Sequence, residues 1–195
     1  LSEGSPEEVD LVSDLISRYL QNHVDSNSTA LMGDAFGAKL ELLAQEFAKA
    51  DDPVIRSEGD KAIHRFKESL PELPRMEGWN HGDFSLENLI YVREEQELYA
   101  FDFLDSPVDS ILIDFGRIWL DLGSSWWGEG VWQTPVSRLN LMILRDKLRE
   151  VALGSGISDR DLHLLAAFAA ARVLPYTVNP NRLSRLKKAL RKINL

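Results

Sequence analysis

The run from Asn80 to Ile90, NHGDFSLENLI, sets a histidine, an aspartate and an asparagine at positions 81, 83 and 88, and two more aspartates follow, Asp102 in AFDFLD and Asp114 in LIDFGR. These residue types at these spacings fit in-line phosphoryl transfer. That chemistry needs a carboxylate that orients an attacking hydroxyl and accepts its proton, hard oxygen donors that fix Mg2+ on the phosphates, and one loop that holds them together. Asp83 is the expected base and the side-chain oxygen of Asn88 an expected metal ligand. A lone His-Gly-Asp tripeptide would mean little, because polar residues before a strand often only cap turns. The weight lies in Asn88 and Asp102 standing in register with it.

The elements that must carry these residues are mostly helical. In SPEEVDLVSDLISRYL, Ser5 caps, Pro6 suits the first helical position, Glu8 completes a capping box, and Val9, Val12, Ile16 and Tyr19 recur at helical spacing. Thr29 to Ala50 repeats the period, though Gly33 and Gly37 weaken its start. Ser57 to Leu70 is a third helix, stopped by PELP. Between Trp79 and Phe103 the period changes. NLIYV and LYAFDF are short, rich in aromatic and β-branched residues, and separated by the polar REEQE, which reads as a hairpin. Helical spacing returns in Ile111, Phe115, Ile118 and Leu122, ending at Gly123. Further helices are expected from Thr134-Pro135, from Ser158 with Asp161 as its capping partner, and over Asn181 to Asn194.

HGDFSLENLIY followed by AFDF resembles the aminoglycoside phosphotransferase and choline kinase group of small-molecule kinases, whose pattern is H-G-D-x-x-x-x-N, a hairpin, then an aspartate. Gly82 stands where protein kinases carry Arg. The resemblance is specific from about Leu70 to Leu122 and architectural elsewhere. It implies an α+β, mainly helical chain, namely the C-terminal lobe of a protein-kinase-like fold with a small β-hairpin at the catalytic loop. It also implies ATP or GTP with Mg2+, and a small molecule phosphorylated on a hydroxyl. On this resemblance Asp83 is the base, Asn88 and Asp102 hold the metal, and Ser85 contacts the nucleotide. His81 and Asp114 brace the loop. Asp114 carries the literal DFG, but it falls in a helical pattern that turns its carboxylate away from the mouth of the hairpin. Downstream, WLDLGSSWWGEGVWQ gathers tryptophans near Asp121 and Glu129, which suits a sugar or a cationic amine. Asp105, Trp126, Trp127 and Glu129 are the expected acceptor contacts, a core-and-lid role being an equal alternative for the tryptophans.

The strand-rich N-terminal lobe that supplies such kinases with a phosphate-covering loop and a lysine has no counterpart here, since Lys39, Lys49, Lys61 and Lys67 all fall in helical patterns. The chain is therefore expected to be a single lobe over residues 1–195, a fragment of a longer enzyme. Leu1 in place of Met agrees with that, and turnover by these residues alone should be very slow or nil. The alternative is a non-catalytic kinase-like binding or regulatory module.

Bulk properties bound the rest. The 195 residues carry a formal charge of -9, which argues against a nucleic-acid partner, and no Cys, which excludes disulfides and thiolate metal sites. No apolar run approaches the roughly 20 residues of a membrane span, and cytoplasm is the expected compartment. After Asp161 no acidic residue occurs, while Arg172, Arg182, Arg185, Lys187, Lys188, Arg191 and Lys192 follow. Leu183, Leu186, Leu190 and Ile193 form an apolar stripe there, expected to pack on the acidic body, a membrane or protein surface being the alternative.

Overall fold

The structure, a computed structural model, describes residues 4–26, 35–76, 78–104, 108–124 and 134–191. Seven helices and one two-stranded antiparallel sheet make up these residues, an α+β arrangement that is mainly helical. Helix α1 spans Pro6–Ser26, with the Glu8 N–H on Ser5 Oγ at 3.3 Å. Helix α2 spans Ala35–Lys49. Helix α3, Pro53–Ser69, begins ahead of the expected Ser57, because Asp52 accepts the Val54 N–H and Pro53 fits the first turn.

Strands β1, Leu89–Val92, and β2, Glu97–Ala100, pair from Leu89 opposite Ala100 to Val92 opposite Glu97. The expected second strand ran on to Phe103. Pairing instead stops at Ala100, because Asp102 takes φ +60, a left-handed conformation that extended chain does not contain. Helices α4 (Ile111–Ser124), α5 (Pro135–Gly154), α6 (Asp159–Val173) and α7 (Pro180–Arg191) complete the chain. Thr134 caps α5, and Ser158 with Asp161 forms the full capping box of α6. Helix α4 carries Gly123 inside it and runs one residue past the expected stop.

Helix α4 is the centre. Ile111, Leu112, Phe115, Ile118, Trp119, Leu120 and Leu122 are all buried, which is the pattern of a helix enclosed on every side. It lies along α6, where a Cβ on Gly116 would meet the Leu165 carbonyl oxygen at 2.6 Å, so only glycine permits this approach. Helix α1 packs along α5, and α2 packs against α3. The apolar stripe of α7 is core: Leu186 and Leu190 are buried against α6 and α3, and Lys187 pairs with Asp52 at 2.7 Å. The packed-helix expectation for this tail holds over Pro180–Arg191. Among the described residues no helix is long and apolar enough to cross a membrane.

Candidate active site

The site is assembled where the segment before the hairpin passes over α4. Asn80 Nδ2 donates to the Val108 carbonyl at 3.0 Å, Gly78 N–H to Asp109 O at 2.9 Å, and Ser110 Oγ to Met76 O at 2.5 Å. These bonds lay Met76, Gly78 and Asn80 against the segment that enters α4. The loop then turns at Gly82, whose φ of +81 favours glycine.

Helix α4 grips that turn. Asp114, fully buried, accepts the N–H of His81 on Oδ2 at 2.7 Å and the N–H of Gly82 on Oδ1 at 3.0 Å. The Gly82 carbonyl accepts from Arg172 of α6 at 3.1 Å, so the peptide units on both sides of Gly82 are held. Burial pushes the Asp114 carboxyl up to about 7, against the two N–H donors and Arg172, which favour its charged form. Two turns along the same helix, the buried Asp121 accepts the Leu86 N–H at 2.8 Å.

Between these two aspartates, Arg117 bridges the loop and the helix. Its Nε donates to Oδ1 of Asp83 at 2.5 Å, and its Nη1 donates to Asp121. Burial opposes the charge on Arg117, yet Asp121 and Asp83 outweigh it and raise its pKa. Asp83 keeps about a quarter of its side chain exposed, at 25%. Its Oδ2 accepts from Asn88 Nδ2 at 3.2 Å, and the same Nδ2 reaches the Asp83 carbonyl at 2.9 Å. Both donations come from the nitrogen of the Asn88 amide, which leaves Oδ1 its lone pairs for another ligand.

Asp102 is brought to the same place by backbone. Phe101 N–H bonds Asn88 O at 3.1 Å and Leu104 N–H bonds His81 O at 3.1 Å, so the exposed Asp102 lies between two clamps onto the loop that carries Asp83. The His81 ring stacks on Phe103 at 4.2 Å and meets Phe84 edge-on at 5.8 Å. Burial lowers its pKa, with the Phe101 backbone, Asp83 and Asp102 pulling the other way. Its Nδ1 accepts the Asp83 N–H at 3.4 Å. Ser85 is buried, its N–H on Asp83 O at 2.8 Å and its Oγ without a hydrogen-bond partner.

A model of the phosphotransferase enzyme family matches residues 25–150, well over half of the chain. The chain belongs to this family. The matched span takes in the loop, the hairpin and all of α4, and it ends before α6, which contributes Arg172. No curated protein matches the chain. No solved structure matches it either.

Two residues of the candidate site escape a reading of the sequence. Arg117 was not singled out at all, and Asp121 was grouped with the tryptophans of an acceptor pocket, whereas it is fully buried under Leu86 and Arg117. A signal exists: Asp114, Arg117 and Asp121 stand at i, i+3 and i+7, one polar face on an otherwise apolar helix. The expected acceptor residues Asp105, Trp126, Trp127 and Glu129 lie outside the described residues.

Proposed function

We propose that this phosphotransferase moves the γ-phosphoryl group of ATP or GTP to a hydroxyl of a small molecule. Asp83 is the base in this reading. It takes the proton of the acceptor hydroxyl as that oxygen bonds to the γ-phosphorus and the bond to the β–γ bridging oxygen breaks, leaving the nucleoside diphosphate. The observation that carries the reading is the clamping of Asp102 between Asn88 and His81, beside the Asp83–Asn88 pair.

The donors present suit Mg2+. Asn88 Oδ1 and the exposed Asp102 carboxylate are hard oxygen ligands, and Mg2+ characteristically combines one or two protein oxygens with substrate phosphates rather than a full protein cage. When bound, Mg2+ would neutralise the charge that develops on the phosphates. Asn88 and Asp102 would hold it, and His81 and Asp114 keep the loop in shape, whereas Ser85, at 1% exposure, is too enclosed to count among the nucleotide contacts. The chain supplies the helical, catalytic-loop lobe of a kinase-like fold, and a strand-rich lobe carrying a lysine for the phosphates completes the site from elsewhere in the intact protein.

Calorimetry on the intact protein tests the reading. ATP should bind with Mg2+ present and weaken strongly with EDTA, and Asp102→Asn should remove the metal-dependent part. ATP affinity indifferent to Mg2+, or no affinity, would instead favour a kinase-like binding module.

A further inference from the structure

The two oxygens of the Asp83 carboxylate are not equivalent. Oδ1 receives the Arg117 Nε–H at 2.5 Å from a side chain only 5% exposed, while Oδ2 receives a single longer bond, 3.2 Å, from Asn88. Each oxygen accepts one bond, but Oδ1 is tied to α4 by the shorter, charge-assisted bond from a buried side chain, so Oδ2, on the longer bond from the loop's own Asn88, is the oxygen more readily offered to another donor. Arg117 is itself fixed at its far edge by Asp121, which also holds the Leu86 N–H. Because a guanidinium is planar and presents donors in a rigid fork, the bond to Asp121 fixes the plane in which Nε meets Oδ1 of Asp83.

From this geometry we infer that Arg117 is the positioning residue of the base: it holds Oδ1 of Asp83 so that Oδ2 is the oxygen offered to the acceptor hydroxyl. Arg117 is too enclosed to meet a phosphate or an acceptor, so it acts through Asp83 alone. The inference rests on the functional reading above, in which Asp83 is the base. Its consequence is specific. Loss of the fork should misdirect Oδ2 without touching the metal ligands Asn88 and Asp102, so turnover should fall while the KM for MgATP is kept.

The test is steady-state kinetics on the intact protein, with MgATP and a panel of aminoglycosides, amino alcohols and hexoses, alongside thermal unfolding. Arg117→Met would strand two carboxylates and threatens the fold, so Arg117→Lys, which keeps the charge and loses the fork, is the primary variant. Asp121→Asn, which frees the far edge of Arg117 while leaving an oxygen for Leu86, is the second. Each should lower kcat on the order of 10- to 100-fold with KM for MgATP within about twofold, the size expected of a reacting group misplaced by about 1 Å. Unchanged kcat in both folded variants would overturn the inference. So would kcat and KM failing together with the melting temperature, which would mean that Arg117 only holds the loop folded. Asp83→Asn separates the two levels: if it retains wild-type turnover, the functional reading itself falls and takes this inference with it. If it is inactive while Arg117→Lys and Asp121→Asn are fully active, only the positioning role is lost.

Discussion

Oδ2 of Asp114 accepts the His81 N–H at 2.7 Å, from thirty-three residues further along the chain. With Oδ1 on Gly82, this carboxylate satisfies two consecutive donors that no helix or strand supplies. Asparagine offers one acceptor and one donor there, so Asp114→Asn should leave an N–H facing an NH2. A loss of about 1–3 kcal/mol is expected in urea unfolding, together with a large loss of turnover.

The pH dependence of that loss has a definite sign. The native Asp114 carboxyl, pushed by burial from 3.8 to about 7, holds its proton across that interval while the unfolded chain does not. Its contribution is therefore complete below pH 3.8 and is lost as pH rises through about 7. The stability deficit of Asp114→Asn should narrow over this range, as measured by urea unfolding at a series of pH values. A deficit that widens would show that the two N–H donors and Arg172 outweigh burial.

Glycine positions in two helices should respond in opposite ways. Gly116→Ala sets a Cβ 2.6 Å from the Leu165 carbonyl oxygen, a backbone atom that moves only if α4 and α6 separate. About 1–3 kcal/mol of destabilisation is expected. Gly37→Ala in α2 meets nothing within 4 Å and should stabilise by up to about 1 kcal/mol, since alanine is the better helix former. Paired urea titrations of the two variants check both signs.

Gly82→Ala should cost about 1–2 kcal/mol, because φ +81 is a left-handed conformation that a Cβ disfavours. Relief of that strain would rotate the two peptide units flanking Gly82, one held by Asp114 and the other by Arg172. Turnover should consequently fall further than the melting temperature suggests, and comparing the two measurements checks it.

How far the sequence discloses this site depends on which residues are asked. The loop spacing, the existence of the hairpin and the caps at Ser5, Thr134 and Ser158 are local signals, and local signals survive without knowledge of the fold. Asp114 was separated from Asp102 by helical period alone, and in the structure its carboxylate does turn to the loop backbone. The burial of Arg117 follows from α4 being enclosed by α1, α5, α6 and α7, a tertiary fact with no local trace. That of Asp121, held to Leu86 and Arg117, likewise depends on the loop packing over α4 rather than on its neighbours in sequence. The start of α3 was set at Ser57 although Asp52-Pro53 is an equally good capping signal, and only the packed structure chooses between them.

The central claim, that Asp83 accepts the proton of a hydroxyl attacking a nucleoside triphosphate, is tested most directly by following transfer of labelled γ-phosphate from MgATP to the acceptor panel in the intact protein. Asp83→Asn should fold as the wild type does and transfer phosphate on the order of 10²- to 10⁴-fold more slowly. Transfer at the wild-type rate by that variant would contradict the account.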